Sequence, residues 1–134
     1  MGLIVDTAVF VAFERSGRPV DLSPWAPLED VFISVVTVSE LLVGVHRADT
    51  EARRAKRAAF VEAILGGITV LDFTAEVARV HAQVTAELMR QGQIIGAHDL
   101  IIAATAKLHG ASVLTDNVAE FCRVPGLNVL PFSG

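Results

Sequence analysis

At 134 residues and 14.3 kDa the chain has room for one packed core, and its expected organisation is a single domain over 1–134. Its 52% apolar content and mean hydropathy of +0.53 are high, yet no apolar run approaches the roughly 18 residues of a membrane span and no basic-then-apolar leader precedes Asp6. The net charge of −4 excludes a protein that coats nucleic acid by general electrostatics, but not a nuclease whose cations are local.

Leu3-Ile4-Val5 is a short apolar run suited to a strand buried on both faces. Asp6 then stands at the carboxyl end of that strand, where open parallel sheets place their ligand sites. Taken alone, Asp6 reads more simply as the start of the next helix. That helix, Thr7 to Arg15, has Thr7 as N-cap, Arg15 at the end that favours cations, and Val9, Phe10 and Phe13 as its apolar face. Ser16 to Pro27 contains Gly17, Pro19, Pro24 and Pro27 and is a loop, with one helical turn at Pro24-Trp25. Trp25, the single tryptophan, is expected to anchor packing rather than to stack on bases. Val31 to Val36 is a second strand. Thr37-Val38-Ser39-Glu40 follows with the form of a capping box and opens a helix through Leu41, Leu42 and Val45.

A further helix spans Ala48 to Leu65, carries Arg53, Arg54, Lys56 and Arg57 on its polar side, and stops at Gly66-Gly67. Ile68 to Leu71 is strand three, ended by Asp72. Thr74 caps a helix to about Gln91, with Val77, Val80, His81, Val84 and Leu88 at helical spacing. Residues 92–96 form a loop. The helix Ala97 to His109 carries Asp99 in its first turn and ends at Gly110. Ser112 to Thr115 is strand four, Asp116-Asn117 begin a turn, Val118 to Cys122 is a short helix, and Leu127 to Leu130 is a fifth, edge-like strand. Strands alternating with helices imply a mainly parallel sheet of about five strands covered on both faces, a three-layer α/β/α sandwich. The surplus apolar surface is expected to meet a partner or a second copy of the chain.

Four acids fall where such a sheet gathers its ligands: Asp6 after strand one, Glu40 in the first turn of the helix after strand two, Asp99 in a first helical turn, and Asp116 after strand four. Each has a plainer reading, with Glu40 as half of a capping box, Asp99 as a dipole complement and Asp116 as a turn former. Asp72 also follows a strand. Several carboxylates in one cleft repel strongly and are tolerated mainly where a divalent cation neutralises them. The four histidines (His46, His81, His98, His109) lack paired spacing, and Cys122 is the sole cysteine. An oxygen-only donor set therefore points to a hard cation, Mg²⁺ or Mn²⁺, which suits phosphodiester hydrolysis through an activated water. A lone cysteine also rules out an internal disulfide and fits a reducing cytoplasm. His98, beside Asp99, is expected to pack or hydrogen-bond locally, with assistance in proton transfer as the alternative. The basic run from Arg47 to Arg57 reads as a solvated helix face; its functional alternative is phosphate tracking along RNA by Arg47, Arg53, Arg54, Lys56 and Arg57.

Ile4-Val-Asp6-Thr, Ser39-Glu40-Leu-Leu-Val-Gly44, His98-Asp99-Leu-Ile-Ile-Ala-Ala104-Thr-Ala and Leu114-Thr-Asp-Asn117, with Phe121 and Val124-Pro-Gly-Leu127, form an ordered set across the whole chain. In this set the sequence resembles the PIN-domain family, specifically the VapC-type toxins of bacterial toxin–antitoxin pairs. The resemblance implies a Mg²⁺- or Mn²⁺-dependent endoribonuclease, with Asp6, Glu40, Asp99 and Asp116 as the catalytic cluster. Asp6 and Asp99 would be the main metal ligands, with Asp116 beside them, Glu40 a ligand or the holder of the attacking water, and Thr7 a support through its hydroxyl. The fourth corner falls on Asp116, with Asn117 as second choice and Glu120 close by. The resemblance also implies a VapB-type antitoxin in the cleft and apolar grooves, a homodimer, and contact with DNA only through that antitoxin.

An aspartate-nucleophile phosphatase needs a second acid two residues after Asp6, where Ala8 stands. A phospho-acceptor signalling domain needs a late lysine, but Lys107 lies at the back end of its helix. A catalytically silent module that binds a protein or RNA through the acidic cleft remains the alternative.

Overall fold

Five strands form one wholly parallel sheet, in the order β3-β2-β1-β4-β5, in the computed structural model, which describes residues 2–133. The strands are β1 (Leu3–Val5), β2 (Val31–Ser34), β3 (Thr69–Leu71), β4 (Ser112–Thr115) and β5 (Val129–Pro131). β1 and β4 are buried along their whole length; β1 is wholly apolar, and the two hydroxyls of β4, on Ser112 and Thr115, are hydrogen-bonded to Asn128 and Asp6. Pro131 sits on an edge strand, where a missing N–H leaves no ladder bond unmade.

Side chains alternate across the pleat and divide the core in two. Leu3, Val5, Ile33 and Leu114 face α1 (Thr7–Ser16), α2 (Val35–His46) and α3 (Glu51–Gly67), which supply Phe10, Phe13, Leu41, Val61 and Ile64. Ile4 and Val113 face α4 (Ala75–Arg90), α5 (Ala97–His109) and the short α6 (Val118–Phe121), which supply Val84, Leu88, Ile102 and Phe121. Fully buried side chains such as Phe10 and Ile4 each contribute about 1.5–3 kcal/mol. Five consecutive residues of α5, from Ile102 to Ala106, are buried, so this helix is enclosed on all sides and its alanines permit close approach. Among the described residues no helix is long and apolar enough to cross a membrane.

Element boundaries depart from the sequence reading at several places. α2 begins at Val35, because the Ser34 hydroxyl accepts from the Val36 amide at 3.1 Å and ends the strand two residues early. Thr37 therefore lies inside the helix, wholly buried, and Thr37…Glu40 is not a capping box. Asp6, rather than Thr7, occupies the N-cap position of α1. α3 starts at Glu51, capped by Thr50, and runs through Gly66-Gly67 to Ile68, since packing of Ile64 and Ile68 outweighs weak glycine propensity. β5 is shifted to Val129–Pro131. The short helical turn is a 3-10 turn at Leu28–Asp30, not at Pro24-Trp25. Trp25 packs on Phe132 with ring centroids 5.4 Å apart, the anchoring role expected of it.

The strand order creates the crevice. From β1 the chain steps outward through β2 to β3, then α4 and α5 carry it back to β4 on the other side of β1. The connections leaving β1 and β4 diverge at their carboxyl ends, and that switch point opens a cleft.

Candidate active site

Asp6 sits at the switch point. Its amide continues the β1–β4 ladder by donating to Leu114 O at 3.0 Å, and its carboxylate is 5% exposed. Although the backbone places it at the N-cap, its side chain caps nothing. Oδ2 instead accepts from Thr115 Oγ1 at 2.7 Å, and Thr115 Oγ1 accepts from the Asn117 amide at 2.9 Å. A line of hydrogen bonds thus runs from the turn after β4 into the carboxylate. Burial raises the Asp6 pKa, the Thr115 hydroxyl opposes it, and the charges of Asp116 and Glu40 add to the rise; the net shift is upward.

Glu40 projects from the second turn of α2. Thr7 Oγ1 donates to its Oε1 at 2.7 Å and lies 3.0 Å from Thr37 Oγ1. With one hydroxyl proton, Thr7 satisfies both contacts as donor to the carboxylate and acceptor from Thr37. The other carboxylate oxygen lies 3.2 Å from His98 Nδ1, so this histidine meets an acid of another element rather than a local partner. Asp99, in the first turn of α5, is half-buried. Burial, followed by the charges of Asp6, Glu120 and Glu40, pushes its pKa up to about 6.

All four acids line one cleft of about 680 Å³, together with Thr7, Asn117 and the face of α1 formed by Ala8, Val11, Ala12 and Arg15. They stand around its walls; no three acidic, histidine or cysteine side chains among the described residues converge into a ready-made ion cage. At the fourth corner Asp116 is exposed on the wall, while the Asn117 amide donates to Glu120 Oε2 at 2.7 Å. Glu120 does not line the cleft. Its Oε1 accepts from the Gly96 amide just ahead of α5, and this bond, with that from Asn117, holds its carboxyl below the usual range. Glu120 therefore ties the turn after β4 to the start of the helix that carries Asp99. Asp72 lies outside the cleft.

The cations assigned to RNA are elsewhere. Arg53, Lys56 and Arg57 line a second concavity, a groove of about 880 Å³ between α1, the following loop and α3. Arg47 and Arg54 line neither. Arg53 pairs with Asp49 at 2.8 Å, Arg54 with Glu51, and Arg57 with Glu14 at 3.1 Å and the Gly44 carbonyl at 3.0 Å. Arg15 lines both concavities, a position missed when it was read only as a helix end. The signal was present: Thr7, Val11 and Arg15 are spaced by four, so they share the helix face that begins beside Asp6.

The PIN domain family description matches residues 3–127. The chain belongs to the PIN domain family. Among PIN domains, it is 41% identical to "Ribonuclease VapC1" of Rickettsia felis over 133 residues, 99% of this chain and 98% of that relative. It is 38% identical over 101 residues to a "tRNA(fMet)-specific endonuclease VapC" of Shigella flexneri, covering 75% of this chain and 74% of the relative. The DNA-bound VapBC of Salmonella typhimurium contains a chain that superposes with a TM-score of 0.88 at 26% identity, covering 98% of both chains. The expected PIN fold, with its sheet covered on both faces, is the fold observed.

Proposed function

We propose that this PIN domain is an endoribonuclease, the toxin half of a toxin–antitoxin pair, which hydrolyses RNA phosphodiester bonds with Mg²⁺ or Mn²⁺ in the acidic cleft. The observation that carries the reading is the charge imbalance: four carboxylates share the cleft with one arginine, and both Asp6 and Asp99 are raised by burial and by one another's neighbours. The donors are all oxygen, which fits a hard divalent cation. Asp6 and Asp99 would hold the ion, with Asp116 on the adjoining wall. When bound, such a cation activates water and neutralises charge developing on the phosphate.

The chain's own residues supply orientation. Thr115 and the Asn117 amide fix the Asp6 carboxylate on a rigid strand end. Thr7 fixes Glu40 Oε1, leaving the carboxylate aligned to hold the attacking water and accept its proton. Glu120 holds the start of α5 and so the position of Asp99.

The VapBC assemblies among the similar structures support a VapB-type antitoxin as partner. Its site would be the groove, whose floor includes Phe13, Leu22, Phe60 and Ile64. Arg53, Lys56 and Arg57 are better placed for acidic residues of that partner than for RNA in the cleft. The same reading gives a homodimer, a cytoplasmic location beside its RNA, and DNA contact only through the antitoxin. The tRNA specificity named for the Shigella relative makes tRNA the first substrate to try.

The test is to incubate purified, antitoxin-free protein with total cellular RNA, with and without Mn²⁺, and map new 5′ ends. Mn²⁺-dependent cuts that vanish in Asp6→Asn support the reading. No cleavage of any RNA, with partner binding lost on the same substitution, would leave a silent binding module instead.

A further inference from the structure

Among the described residues Arg15 is the one cation on the wall of the acidic cleft, and its guanidinium makes no ion pair there. Arg53, Arg54, Arg57 and Arg90 each have a carboxylate partner. Arg15 is exposed in the last turn of α1, nine residues after Asp6, which at about 1.5 Å rise per residue separates their backbones by about 13 Å. The side chain shares a stripe with Thr7 and Val11, so it belongs to the same wall as the Thr7–Glu40 pair. A phosphate held at Asp6 and Asp99 is out of its reach, whereas a neighbouring phosphate of the same strand is within it. The carboxylates repel the backbone of any RNA that enters, and a cation at one end of the cleft gives the strand a favourable place to lie.

We infer that Arg15 binds an RNA phosphate next to the one being cut and fixes the direction in which the strand crosses the cleft. This rests on the ribonuclease reading above. Because the contact is made equally before and during bond cleavage, it acts on substrate binding rather than on the chemical step. A helix-end role alone would be met by any cation and would not respond to salt in this way.

The experiment uses the full chain made cleavage-dead by Asp99→Asn, with and without Arg15→Ala or Arg15→Lys, and a labelled single-stranded RNA followed by fluorescence anisotropy across a range of salt. Arg15→Ala is expected to weaken binding about fivefold or more and to flatten the dependence of log Kd on log salt by about 0.7, the contribution of one single-strand phosphate contact. Arg15→Lys should keep the slope. In the active protein, Arg15→Ala should raise KM and leave kcat nearly unchanged, with thermal unfolding unaltered. An unchanged salt slope in Arg15→Ala overturns the assignment while leaving the ribonuclease reading intact. An unchanged KM in the active Arg15→Ala protein overturns it likewise, and absence of Mn²⁺-dependent RNA cleavage by the unsubstituted protein overturns both.

Discussion

The two concavities of the molecule share Arg15 but settle their charge differently. In the groove two of the cations carry partners from the chain itself, Arg53 with Asp49 and Arg57 with Glu14, while Arg18 and Lys56 make no ion pair among the described residues. These pairs are solvent-exposed or partly so, and each contributes little to stability. In the cleft, Asp6, Glu40, Asp99 and Asp116 face a single arginine, and the most buried of them are held at raised pKa. The groove is lined by an excess of cations and the cleft by an excess of acids, so the two surfaces suit ligands of opposite charge.

Substitutions should divide along the same line. Asp6→Asn or Asp99→Asn is expected to reduce metal-dependent RNA cleavage at least about 100-fold while the fold persists, whereas Arg53→Ala leaves cleavage within about twofold. Cleavage rates of the purified proteins, beside their circular dichroism, check this; equal cleavage by parent and both Asp variants would sink the ribonuclease reading. Thr115→Val removes the buried hydroxyl that serves Asp6. It should cost about 1.5–3 kcal/mol in urea unfolding, because the bond is to a charged, buried acceptor.

The third effect is one of pH. Folding raises Asp99 from the ordinary 3.8 to about 6, so between those values the folded state holds more proton than the unfolded state. Stability of the metal-free protein therefore falls as pH rises through that window and levels off above it. After allowance for solvent screening of a half-buried group, the loss is about 1 kcal/mol. Metal-free Asp99→Asn lacks it, so the parent and the variant should diverge between pH 4 and 6.5 in paired urea titrations. Parallel curves would show the carboxylate to be unstrained. The smallest effect belongs to the groove: Arg57→Ala should cost under about 1 kcal/mol in the same urea unfolding measurement.

Much of this was legible in the sequence for identifiable reasons. Strands buried on both faces favour apolar residues, so Leu3-Ile4-Val5 declared itself, whereas Asp6 read alone as a helix start and gained its role only beside the later acids. The plainer reading of Glu40, as half of a capping box, fails because its actual neighbour, Thr7, is 33 residues away and belongs to another element. Spacing along one segment carries no record of such a partner. Arg15 was lost in the opposite way. Its place on the helix face was readable by counting fours, but the use of that face depends on which elements close around it. The contacts of Glu120, to Gly96 and Asn117, likewise depend on how α6 packs beside the loop ahead of α5.

The hydrogen bond from Thr115 to Asp6 joins residues 109 positions apart. During synthesis, a ribosome has therefore exposed the first carboxylate of the cleft long before the strand that fixes it emerges. Until β4 slides in beside β1, Asp6 has neither its hydroxyl donor nor its Asp116 neighbour, and the start of α5 lacks the Glu120 tether. The four acids of the cleft therefore come together only when β4 docks beside β1, so no N-terminal part of the chain assembles the site by itself.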